Sequence, residues 1–153
     1  MQTYDPQKAA RVWKRVQSAQ IPEEREHPAD NLKELILNEW VTAATYAQLA
    51  RQLQHQSSAL QTLSREDHAH GACLRGMYSL KTGEKCPVHM PKPEKEPPEI
   101  TLRRCYGLEM RSLKAYEARS EDPEYGHVFA KLAEQEQEHC MVLLRIIGSL
   151  EKN

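Results

Sequence analysis

Leu132-Ala-Glu-Gln-Glu136-Gln-Glu-His139-Cys-Met-Val-Leu143 reads as a helix that places a carboxylate and an imidazole where apolar core residues belong. Spacings of three and four residues select Phe129, Leu132, Glu136, His139, Leu143, Ile146 and Leu150, an inward seam with two polar members at its centre. Side chains three apart share one helix face, with Cβ atoms roughly 5–6 Å apart, so Glu136 and His139 can grip one ion. A single Glu-x-x-His is a common accident in a charged helix. Its weight comes from recurrence elsewhere in the chain.

Working outward, the preceding helix is expected over residues 99–119, with the seam Leu102, Tyr106, Glu109, Leu113 and Tyr116. Asp122-Pro123 ends the turn and reads as the start of the last helix, Asp capping and Pro in the first turn, which runs to about Ser149. Further back, residues 59–80 carry the seam Leu60, Leu63, Asp67, His70, Leu74 and Met77, where Asp67 and His70 repeat the spacing of Glu136 and His139. Neighbouring Glu66 and His68 offer alternatives to Asp67 and His70, with Glu66 standing four before His70 as another partner; Asp67 is preferred because it keeps the seam in phase. Ser57 or Ser58 is the expected cap of this helix, after the polar turn Gln54-His-Gln-Ser-Ser58. The first long helix, about 30–55, has Leu32, Ile36, Glu39, Ala43, Tyr46, Ala50 and Leu53 on its seam, again with a Glu at mid-height.

The two halves superimpose. Glu109 follows Glu39 and Tyr116 follows Tyr46 by 70 residues, while Glu136 follows Asp67 and His139 follows His70 by 69. Four agreements within one residue indicate an internal repeat of a helical hairpin. Between the halves, residues 81–98 hold Gly83 and five prolines, Pro87, Pro91, Pro93, Pro97 and Pro98, so this stretch reads as an extended, solvated crossover. Its Cys86-Pro-Val-His89 is read as a loop rather than a site, since two ligands without partners hold no metal. Two hairpins and a long crossover make a four-helix bundle in which Glu39, Asp67, His70, Glu109, Glu136 and His139 converge at one level.

Such a set demands a counter-charge. Four carboxylates and two imidazoles in an apolar interior cost several kcal/mol per unpaired ion, and two divalent cations would balance the four acids. Mixed oxygen and nitrogen ligation with open positions suits iron or manganese better than zinc, a third occupant, whose structural sites favour a closed tetrahedron. Tyr46 and Tyr116, seven residues after Glu39 and Glu109, are candidates for hydrogen bonds to these carboxylates or for electron relay, or for ordinary aromatic packing.

The bulk of the sequence fits this frame. Its 153 residues suffice for one domain, expected over 29–153, preceded by a helix and connector in 1–28 opened by Asp5-Pro6. Charged residues at 28% with only six Gly favour an all-α protein, and a net charge of −1 offers no field for nucleic acid or an anionic membrane. No apolar run reaches about 18 residues, and no basic flank precedes an apolar segment at the N-terminus, so a cytoplasmic protein without membrane spans is expected. Cys73, Cys86, Cys105 and Cys140 form no Cys-x-x-Cys pair and read as free thiols.

Glu-x6-Tyr helices (Glu39 to Tyr46, Glu109 to Tyr116) alternating with carboxylate-x-x-His helices (Asp67 to His70, Glu136 to His139) resemble the rubrerythrin branch of the ferritin-like superfamily, over roughly residues 30–150. The resemblance implies a ferritin-like four-helix bundle with a long crossover between its second and third helices, pairing as a homodimer. It also implies a di-iron site that reduces peroxide or dioxygen with electrons from a donor protein. Three features depart from that pattern. Asp67 replaces the usual Glu and is shorter by one methylene; Ser112 stands where an additional Glu often follows the third-helix ligand; and no rubredoxin module follows Asn153, so a separate rubredoxin-like donor is expected. Two other functions are compatible with the residues: iron sequestration or sensing without turnover, and a metal-free helical interaction module.

Overall fold

Ala, Leu, Glu, Gln and Arg fill the long periodic segments, and such residues lose little rotamer freedom in a helix. In the structure, a computed structural model describing residues 28–152, these segments form four helices: α1, Pro28–Gln52; α2, Ser57–Thr82; α3, Pro98–Ala118; and α4, Gly126–Leu150. No strand occurs among the described residues. The N-terminal helix expected in 1–28 and opened by Asp5-Pro6 lies outside them. No described helix is long and apolar enough to cross a membrane.

The helix ends depart from expectation where local turn chemistry intervenes. Gln54–Gln56 winds into a short 3-10 turn that leads straight into α2, so Gln56 enters the helix from φ −107 and ψ 3. A capping side chain needs an extended residue before the first turn, and this junction has none. Neither Ser57 nor Ser58 therefore caps α2; Ser57 is its first residue. Asp122-Pro123 does not open α4 either. The Asp122 carboxylate accepts the backbone N–H of Glu124 at 2.9 Å and of Tyr125 at 2.8 Å, which builds a turn, and the helix begins at Gly126. A Cβ at 126 would lie 2.4 Å from the Ser120 carbonyl oxygen, so the turn closes against a residue with no side chain. At the end of α2, Gly83 takes φ 72 and donates its N–H to the Ser79 carbonyl at 2.8 Å.

Two apolar layers hold the helices together. One contains Leu32, Ile36, Leu74, Met77, Tyr116, Phe129 and Leu132; the other contains Tyr46, Leu49, Leu60, Leu63, Leu102, Cys105, Leu143 and Ile146. Each fully buried Leu or Ile in them contributes about 1.5–3 kcal/mol. Membership of the layers orients the chain. α1 runs from the first layer to the second and α2 returns, whereas α3 starts in the second layer and α4 runs back towards it. The crossover 83–97 must therefore travel the length of the helices. Fifteen extended residues reach roughly 45 Å at about 3.1 Å each, against roughly 30 Å for a helix the length of α3. α1 packs chiefly on α2 and α3 on α4, and the hairpins meet through α1 on α3 and α2 on α4.

Candidate metal centre

Between the two apolar layers each helix contributes polar side chains at the same height. Glu39 from α1, Asp67 and His70 from α2, Glu109 from α3, and Glu136 and His139 from α4 are all buried. The six residues anticipated from the seams thus meet at one level. A three-residue step carries each helix through most of a turn, so acid and imidazole emerge on one face.

The contacts cross between hairpins. His70 Nδ1 lies 2.8 Å from Glu136, 3.4 Å from Glu39 and 3.8 Å from Asp67. His139 Nδ1 lies 3.0 Å from Asp67, 3.8 Å from Glu109 and 3.9 Å from Glu136. Each Nδ1 therefore lies closest to the acid of the other hairpin's motif. Asp67 and Glu136 are shared by both sets, while Glu39 and Glu109 each belong to one. The two rings stack with centroids 5.4 Å apart.

Both tyrosines join the centre crosswise as well. Tyr46 donates its hydroxyl to Glu109 and Tyr116 donates to Glu39, so each phenol braces the carboxylate of the opposite hairpin. Burial, then the facing carboxylates, raise both phenols well above their ordinary range, which keeps them protonated as donors. Hydrogen bonding to the carboxylates holds for both residues, and so does aromatic packing, since both rings lie in the apolar layers.

Reading the sequence missed Gln135 and gave Glu66 a different partner. His139 Nε2 donates to Glu66 at 2.7 Å, and His70 Nε2 is paired with Gln135 at 2.8 Å. Glu66 thus reaches across to α4 instead of pairing with His70 on its own helix. The signal was present: Glu66 and Gln135 each precede a motif acid by one residue and are themselves 69 apart, the offset of the repeat. Neighbouring His68 is exposed and stacks on Trp40, with ring centroids 6.4 Å apart, and takes no part. Cys86 packs into the first apolar layer and His89 is exposed, so the crossover pair forms no site. Ser112 is buried, leaving α3 with Glu109 as its one carboxylate at this level.

Without a cation, protons must carry the balance. Burial raises Asp67 to about 8 against the pull of His139. Burial opposes the charge on His139, but Asp67 and Glu109 overcome it and raise the imidazole to about 11. His70 is raised in the same way, burial yielding to Glu39. Between Glu109 and Glu136 the proton belongs to Glu136: burial and the adjacent Glu109 carboxylate raise it, whereas Glu109 is drawn down to about 2, burial notwithstanding, by Glu136 and His139. Cys105 and Cys140, pushed up by burial to about 12 and about 11, stay thiols rather than thiolate ligands.

The donor set fits a metal ion. Glu39 Oε2, both oxygens of Asp67 and Glu136, and Nδ1 of both imidazoles are buried yet make no hydrogen bond, although several approach one another closely. Buried polar atoms normally find partners, and orphans that face a common point are what cation ligands look like. Asp67, His70, Glu136 and His139 each offer an atom within 4.8 Å of all the others, and this buried group could hold a metal ion. An oxygen acceptor on each Nε2 fixes the proton there and leaves Nδ1 as the atom that could bind a cation. No protein-family model, curated protein or solved structure matches this chain.

Proposed function

We propose that this protein is a rubrerythrin-like member of the ferritin-like superfamily, a di-iron oxidoreductase that reduces hydrogen peroxide or dioxygen with electrons from an external donor protein. The observation that carries the reading is the pseudo-twofold set of six buried donors, two imidazoles and four carboxylates, with Asp67 and Glu136 shared between two half-sites. Two divalent ions balance four acids, and oxygen and nitrogen donors without thiolate favour iron or manganese. When bound, a ferrous pair supplies the two electrons that convert hydrogen peroxide and two protons into two waters.

The chain's own residues do the remaining work. Glu39 and His70 would hold one ion, Glu109 and His139 the other, with Asp67 and Glu136 common to both. Tyr46 and Tyr116 restrain Glu109 and Glu39 through their hydroxyls, which fixes where the unshared carboxylates point. Glu66 and Gln135 orient the imidazoles. The leucine layers on either side keep bulk water away from the centre, which strengthens every electrostatic interaction inside it.

The test is anaerobic loading with ferrous iron, metal analysis per chain, and addition of peroxide. Two irons per chain, oxidised stoichiometrically with growth of ferric visible absorption, are expected; a ferrous protein that peroxide leaves unchanged would sink the oxidoreductase reading. One observation favours a second reading, iron sequestration or sensing without turnover: Asp67 is a short ligand, and the buried Ser112 supplies no further carboxylate on α3. Iron binding with no repeated turnover in the presence of a reductant selects that alternative.

A further inference from the structure

The two halves of the centre are alike in their inner donors and unlike one atom further out. His139 Nε2 bonds at 2.7 Å to Glu66, a carboxylate whose side chain is 43% exposed; His70 Nε2 bonds at 2.8 Å to Gln135, a neutral amide. The helices place both partners identically, one residue before the motif acid of the opposite histidine's hairpin. The distances match to 0.1 Å, so geometry does not separate the halves and the chemistry of the acceptor does. Hydrogen bonds to a carboxylate are roughly twice as strong as neutral ones. An imidazole whose far N–H is held by a carboxylate is a more basic ligand through its other nitrogen. Glu66 also reaches solvent along a groove between α2 and α4 that His55, Thr62, Glu138 and Val142 line, so its charge is not stranded in the core.

We infer that the centre is built unequal, with Glu66 as a positioning residue that makes the His139 half the tighter cation site and Gln135 leaving the His70 half the weaker one. The inference rests on the two-ion reading given above. An unequal pair loads in order: the first ion enters at His139, Glu109 and the shared acids, and the second completes the centre at His70 and Glu39. Glu66 touches no ion in this scheme. It acts through the orientation and basicity of His139.

Titration of the full-length chain with cobalt(II), followed by calorimetry and by the visible bands of the bound ion, reads this directly. The wild type is expected to bind two ions in steps separated by about tenfold or more, since loss of an imidazole's hydrogen-bond partner typically costs 10–100-fold in affinity. Glu66→Gln should weaken the tight step about tenfold, leave the other in place and merge the two. Gln135→Glu should strengthen the weaker step and likewise bring the pair together, an effect that a merely structural role for these residues does not produce. Melting of each variant without cobalt reports folding independently. Unchanged step affinities in Glu66→Gln, or equal weakening of both steps, overturn the inference while leaving the metal centre intact. A wild type that binds no cobalt removes the metal-centre reading itself, and this inference with it.

Discussion

The first hairpin and the second present matching donors to the centre but fill the space beside them differently. In the first, the Trp40 indole lies so close to Gly71 that a Cβ there would meet its Nε1 at 2.3 Å. At the corresponding places in the second, offset by 70 and 69, stand Met110 and Cys140. The repeat thus pairs a large side chain and none in one half with two of middling size at the matching positions of the other. The turns diverge further: a 3-10 turn joins α1 to α2, and the Asp122 side chain organises the approach to α4. The positions that agree are those whose atoms must meet one another, namely the acids, imidazoles and tyrosines. Packing and turns have several solutions of similar free energy, whereas six donors around a common point have few.

The largest expected break in this comparison comes from a shared acid. On the proposed two-iron reading, Glu136→Ala removes a donor common to both half-sites, so bound iron per chain should fall from two to near zero by metal analysis; retention of one tight ion would show that the halves are independent. In the wild type, iron at 100 times its dissociation constant should stabilise the fold by about 2.7 kcal/mol, and Glu136→Ala should lose that increment in thermal melts.

The crosswise phenols sharpen the comparison next. Tyr46→Phe and Tyr116→Phe each leave a buried carboxylate oxygen without its donor, at a cost of about 1–3 kcal/mol by chemical denaturation. Similar losses are expected for the two. A much larger loss for one would mean that the hairpins do not brace each other symmetrically.

Within α2, two glycines separate packing from backbone entropy. Gly71→Ala must displace the Trp40 indole and should cost about 1–3 kcal/mol, whereas Gly76, with open space around it, should gain about 0.5–1 kcal/mol on conversion to Ala. Equilibrium unfolding of the two variants gives opposite signs if Trp40 is seated as described.

The smallest effect is a pH dependence of the metal-free chain. Folding raises Asp67 from 3.8 to about 8 and His139 from 6.5 to about 11, so the folded state holds more protons than the unfolded one across these ranges. The stability from Asp67 is present below about pH 4 and lost as pH rises towards 8; that from His139 is present below about 6.5 and lost as pH rises towards 11. The melting temperature of metal-free protein should therefore drift down between pH 6 and 9. Metal binding must displace the same protons, so its affinity should rise over that interval, measured as proton release in weakly buffered solution. A metal-free melting temperature that rises instead would contradict the assignment of protons within the centre.

Much of this was readable from single residues. Periodicity located all four described helices and put Glu39, Asp67, His70, Glu109, Glu136 and His139 on inward seams, because a helix repeats its face every three or four residues whatever it packs against. The failures were short-range or cross-chain. Ser57 was expected as a cap and is not one, since the preceding turn is itself nearly helical, and Asp122 bonds to the two amides after Pro123 instead of opening α4. Glu66 was weighed against Asp67 for the same histidine, yet it serves the histidine of another helix.

The sequence by itself determined that the described chain is helical, that a hairpin is repeated, and which faces carry acids and imidazoles among apolar neighbours. Only the tertiary structure decided that the contacts run crosswise: Tyr46 to Glu109, Tyr116 to Glu39, Glu66 to His139 and Gln135 to His70. Periodicity reports the direction of a side chain relative to its own helix axis. Which atom it meets depends on the rotation and height of the neighbouring helix, and those are set by the packing of the two apolar layers as a whole.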